Sequence, residues 1–166
     1  MPDSSPLSEI EVIQNPALSA YALWRFGLGY QSEDSRAAIL PLFFLVLPVV
    51  LHKPTLEIVT STQRGSGLAL FAAKLGQERE NLLAVHERAL ELRPLSLQSI
   101  GMGINQRLLT LDSNAATLRA NTPAAGAKKP AIPERIRSFT QAPEKLGYWF
   151  SLLSFQQVSS ILSVDF

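Results

Sequence analysis

The sequence predicts a mainly α-helical domain with one short β-hairpin, set in a winged-helix-like arrangement. Apolar residues recur three and four positions apart through most of the chain, the mark of helices with a buried face. Helix-starting residues precede several of these runs, Asn15-Pro16 and Ser154 with Gln157 being the clearest. One stretch, 108–119, alternates apolar and polar residues across a turn instead. Helices followed by a hairpin fit a winged helix, and a helical bundle with an incidental hairpin fits the same pattern.

Residues 1–14 read as a polar arm with one apolar patch, Ile10 to Ile13. A helix follows from Pro16, where Asn15 can cap and proline suits the first turn. Leu18, Tyr21, Ala22 and Leu28 share one face, while Leu23, Trp24 and Phe26 lie on others. Such a helix is buried on several sides or held between the domain and a partner. Gly27 and Gly29 are expected to end it.

After the loop 31–35 comes the most apolar run, 37–51. As one helix it would be about 22 Å long, short of a hydrocarbon slab of about 30 Å. Pro41 suits a first turn, but Pro48 removes a donor and bends or ends the helix. The run is therefore read as a buried helix, with Leu45, Leu47 and Val50 in the core. A signal peptide is not expected, since the run starts late and Asp3, Glu9 and Glu11 precede it. Residues 53–67 break the helical pattern.

A short helix ends at Gly76. The clearest helix covers 77–93, with Leu82, Val85, His86, Ala89 and Leu92 on one stripe, and Pro94 stops it. Leu97, Ile100, Ile104 and Leu108 continue with helical spacing. Gly101 and Gly103 each cost about 1 kcal/mol there, so close backbone packing is expected to offset them. The hairpin turns at Asp112-Ser113-Asn114. Residues 121–133 are a Pro/Ala/Gly linker, dividing a core, 15–120, from C-terminal helices, 134–166. Beyond Pro143, Leu146, Trp149, Phe150 and Leu153 share a face, and a last helix carries Phe155, Val158, Ile161 and Leu162.

Composition narrows the function. Apolar residues make up 46% and charged residues only 17%, below the quarter usual in soluble chains. A surface so poor in charge suits one covered by partners, and suits an ordinary compact domain as well. The chain has no cysteine, which suits a reducing cytoplasm and excludes disulfides and thiolate metal sites. The net charge of +1 hides a separation: Asp3, Glu9, Glu11, Glu33 and Asp34 lie early, Arg119, Lys128, Lys129, Arg135 and Arg137 late. The late bases lack aromatic neighbours. They offer phosphate contact without base stacking, so any nucleic-acid binding there would be weak and salt-sensitive.

No catalytic pattern emerges. The glycines of Arg64 to Gly67 lack the lysine and hydroxyl of a nucleotide loop and read as a turn. His86 opens a zinc-protease-like sequence, but Leu90 stands where the second histidine must be. No Gly-x-Ser-x-Gly elbow occurs. His86 falls on the apolar stripe of its helix, and His52, beside Lys53 and Pro54, suits a role holding the loop start. The reading is a non-enzyme without cofactor or metal.

Asn15 to Tyr30, Pro41 to Thr55 and Glu144 to Ser154 together resemble the middle component of ABC three-component systems, prokaryotic conflict systems. The resemblance runs in order through most of the chain and is weakest at 60–80. It implies a cytoplasmic adaptor between an ABC ATPase of the chromosome-maintenance and repair type and an effector, acting in defence against phage and other invading DNA. It carries no catalytic residues. Trp24, Phe26 and Tyr30, with the turn His52, Lys53 and Pro54, are the expected partner contacts. Self-association and non-specific DNA contact through Lys128, Lys129, Arg135 and Arg137 are further expectations. The competing reading is a free-standing winged-helix DNA-binding regulator, whose recognition helix, 96–107, would present Gln98, Ser99, Asn105, Gln106 and Arg107. Only one of these is basic, which is thin for a DNA reader.

Overall fold

A computed structural model describes residues 15–123 and 133–166, apart from the side chain of Arg135. The arm 1–14 and most of the linker, 124–132, lie outside the described residues.

Helix α1, Pro16–Tyr30, is the centre of the molecule. Asn15 caps it as its sequence suggests, the side-chain oxygen accepting from Leu18 N–H at 3.1 Å. Ala22, Leu23 and Phe26 are fully buried, because later helices and the sheet pack around it. Gly27 and Gly29 do not end the helix; they lie inside it. A Cβ at Gly29 would overlap the Glu144 carbonyl, and a Cβ at Gly27 would press on Ala120. The glycines serve close approach of other chain segments, a demand that outweighs their low helix propensity.

The apolar run is not one helix. Ala38–Ile39 forms a strand, β1; Leu40–Phe43 is α2 and Val46–Val50 is α3. Pro41 and Pro48 each fall in the first turn of a separate short helix, where a missing N–H leaves no bond unmade. Leu45, Leu47 and Val50 are buried as expected. The stretch 53–67, which shows no helical pattern, nonetheless contains helix α4, Lys53–Ser61. It lies at 102° to Leu40–Val50, and no single helix among the described residues is long and apolar enough to cross a membrane. A 3₁₀ turn at Arg64–Ser66 leads to Gly67 at φ +82°.

Helices α5, Gly67–Leu75, α6, Arg79–Glu91, and α7, Arg93–Asn105, follow the sequence pattern, with Gly76 closing α5 and Pro94 in the first turn of α7. Val85 is buried, and Leu82, Ala89 and Leu92 pack beside it. Of the two glycines in α7, Gly103 meets Leu109, but nothing lies within 4 Å of where a Cβ on Gly101 would be. Close packing does not offset Gly101. The hairpin comprises β2, Leu109–Asp112, and β3, Thr117–Ala120, paired antiparallel with Leu111 opposite Leu118. Strand β1 adds to β3, Ala38 opposite Leu118, giving a three-stranded sheet of order β1-β3-β2 that two residues of the apolar run complete.

Helix α8, Arg137–Ser151, begins before Pro143 rather than after it. The proline is accommodated because Phe139, Thr140 and Ala142 before it are themselves buried against the core. Helix α8 lies along α1 at a glycine contact: a Cβ on Gly147 would overlap the Phe26 carbonyl. Phe26 meets Phe43 and Phe150 edge-on at 5.1 and 5.4 Å, geometry that aromatic quadrupoles favour. Helix α9, Phe155–Leu162, opens with the expected capping box, both of its bonds made between Ser154 and Gln157.

Candidate partner-contact surface

The exit of the apolar run is a turn held from below. His52 precedes α4, and its Nδ1 lies 2.7 Å from Thr55 Oγ1. Thr55 is buried, while Lys53 and Pro54 are exposed. Pro54 lies in the first turn of α4, where its fixed φ suits the helix. Arg88, from α6, ties the turn to the domain: its Nε donates to the Pro48 carbonyl at 3.1 Å and its Nη2 to Thr55 Oγ1 at 3.3 Å. Burial pulls the Arg88 pKa below its ordinary value, opposed by the nearby Glu91 carboxylate. Arginine stays charged under any such shift. The turn thus presents a cation and a rigid proline on a braced frame. Arg88 is the residue that sequence reading missed, since only the fold brings α6 beneath the turn.

The aromatics of α1 lie elsewhere. Phe26 is 0% exposed, Tyr30 7% and Trp24 9%. Trp24 stacks obliquely with Tyr21, and its indole N–H donates to the Asn121 carbonyl at 2.8 Å. These three residues fill this chain's own core and offer no surface to a second chain. An apolar stripe about 100° wide would leave these aromatics outside a single core. Here α7, α8, α3 and β3 enclose α1 on several sides at once.

The basic segment is only partly in view. Lys128, Lys129 and the Arg135 side chain lie outside the described residues, and Arg137 is exposed at the start of α8. On α7 and just past its end, Gln98, Asn105, Gln106 and Arg107 are exposed while Ser99 is buried, donating to the Leu95 carbonyl at 2.7 Å. His86 accepts from Asp165 N–H at 3.3 Å. Among the described residues no group of three His, Cys, Asp or Glu is placed to hold a metal.

A family model described as the ABC-three component (ABC-3C) system Middle Component 3 matches residues 3–166. The chain belongs to this family. No curated protein matches it, and no solved structure does. Membership makes this Middle Component 3 protein one component of a three-component ABC system. All three stretches that carried the resemblance fall on described elements: α1, the run from α2 into α4, and α8 with its end. They converge. In this Middle Component 3 chain, α1 and α8 form the glycine-lined contact, and α3 packs against both.

Proposed function

We propose that this chain is a non-catalytic adaptor coupling the ABC-type ATPase of its system to an effector protein, in prokaryotic defence against invading DNA. The observation that carries the reading is the match to a middle component along nearly the whole chain. A middle component needs a surface for each neighbour, and the braced turn at Lys53 and Pro54 suits one of them, with His52 shaping it from behind. The adaptor works in the cytoplasm and without a cofactor. Co-expression with an ATPase and an effector of the same system tests this. The adaptor should bridge the two into one complex that neither forms alone. Recovery of the chain free of both partners overturns the reading.

A second reading has one observation in its favour. Sheet order β1-β3-β2, with α7 leading into the hairpin, suits a winged-helix arrangement and a DNA-binding regulator. The expected recognition segment, 96–107, has a single exposed cation, Arg107, which is little for phosphate contact. Sequence-selective DNA binding by the isolated chain would favour it.

A further inference from the structure

Two lysine ammonium groups meet on Thr62. Lys145 Nζ, from α8, donates to the Thr62 carbonyl at 2.8 Å, and Lys74 Nζ, from α5, to Thr62 Oγ1 at 3.1 Å. Among the described residues the ion pairs are Arg25 with Glu144 and Arg36 with Asp34, so neither lysine has one. Beside them lies a hollow of about 290 Å³ lined by Arg25, Arg64, Gln141, Glu144 and Lys145. The guanidinium of Arg64 sits 4.0 Å from the centroid of the Tyr148 ring, and its Nη2 donates to Ser32 Oγ at 3.3 Å. These contacts fix the plane of the Arg64 fork and leave its other N–H groups without a protein acceptor. Arg25 pairs with Glu144 through Nη2, while its Nε is buried with no acceptor.

Counter-charge is short here. Glu144 brings one negative charge, already paired with Arg25, and the α4 carbonyls that receive the lysines carry roughly half of another. Glu78 shares a second hollow with Lys74, accepts from Asn81 Nδ2 at 2.8 Å and makes no ion pair. Even with Glu78 counted, Arg25, Arg64, Lys74 and Lys145 outweigh the negative charge around them. The repulsion is felt: the Lys74 ammonium, after burial, helps hold the Lys145 pKa below its ordinary value. We propose that this hollow binds a phosphate group as a compact dianion. Arg64 and Gln141 donate to its oxygens, and Lys74 and Lys145, whose N–H groups are engaged on α4, supply charge from behind. A carboxylate brings a single negative charge, too little for the excess. The inference stands apart from the adaptor reading.

The test titrates inorganic pyrophosphate into the full chain by calorimetry, in chloride buffer at fixed ionic strength. Wild-type chain should bind it, and Arg64→Gln and Lys74→Gln should each weaken binding about tenfold. Arg64→Lys keeps the charge and should restore part of the loss. Arg79→Gln, at an exposed arginine on α6, should leave binding unchanged. Circular dichroism and thermal melts establish that each variant folds. If Lys74→Gln disturbs the end of α4, Arg64→Gln, at an exposed side chain, decides alone. Unchanged affinity in Arg64→Gln overturns the proposal, as does a wild-type chain that ignores pyrophosphate. A short DNA duplex is the other source of phosphate. Duplex binding that Arg64→Gln weakens, in a chain that ignores pyrophosphate, makes the hollow part of a nucleic-acid track and overturns the compact site as well. None of these results bears on complex formation, which tests the adaptor reading separately.

Discussion

The indole N–H of Trp24 donates to the main-chain carbonyl of Asn121, 97 residues further on. This bond fixes the central helix to the chain leaving β3. Trp24→Phe keeps most of the ring's burial but leaves a partly buried carbonyl unpaired, and should cost about 1–2 kcal/mol. Trp24→Ala adds a cavity and should cost about 3–5 kcal/mol. Urea unfolding followed by far-ultraviolet circular dichroism measures both. Unchanged stability in Trp24→Ala would return the residue to the surface.

The same substitution should act with opposite sign at two glycines. At Gly147 a methyl group overlaps the Phe26 carbonyl, so Gly147→Ala should destabilise by about 2–3 kcal/mol through overpacking of α1 on α8. At Gly101 nothing lies within 4 Å of the added methyl, and the site is helical and exposed. Gly101→Ala should stabilise by about 1 kcal/mol. Midpoints of thermal unfolding, taken side by side, check the pair.

Ala116 closes the hairpin with φ of 52°, in the left-handed region that a Cβ disfavours. Asp112 supports the turn, accepting from Asn114 and Ala115 N–H at 3.0 Å each. Ala116→Gly relieves the strain and should raise stability by up to about 1 kcal/mol. A loss on chemical denaturation would show that the turn is not strained in solution.

Lys145 predicts a pH effect. Its Nζ, on α8, donates to the carbonyls of Val59, Thr60 and Thr62 at 3.0, 3.3 and 2.8 Å, closing the C-terminus of α4. Burial lowers its pKa, and the neighbouring Lys74 ammonium lowers it further. Between that lowered value and the ordinary lysine value the unfolded chain binds more protons than the folded one. The contribution of Lys145 to stability therefore rises with pH across this alkaline window. Lys145→Met should lose that rise along with the cap. Lys74→Gln should narrow the window, because one cause of the shift is gone. Denaturant midpoints of the three proteins across alkaline pH distinguish these outcomes.

Legibility in the sequence followed the range of the forces involved. Asn15, Gly76, Pro94 and the Ser154–Gln157 box act within one turn of chain, and the structure bears each of them out. Helix α4 was invisible because its ending depends on Lys145, and β-branched Thr55, Ile58, Val59 and Thr60 give it little propensity of their own. Strand β1 could not be read either. Its two residues exist as a strand only because β3 lies beside them. The aromatics of α1 show the same limit from the other side. Periodicity tells how much of a helix is apolar, and only the neighbours decide whether that surface ends inside or out.

The glycine contact between α1 and α8 has a consequence for how the chain is made. Phe26 leaves the ribosome long before Gly147 and Phe150 do. Throughout that interval the central helix of the molecule, with Ala22, Leu23 and Phe26 on it, waits without the element that clads it. Long-range contacts of this kind slow folding and leave nascent intermediates open to aggregation. Closure of this contact thus lags behind the making of α1, and holdase chaperones are the machinery on which the yield of this protein in a cell should depend.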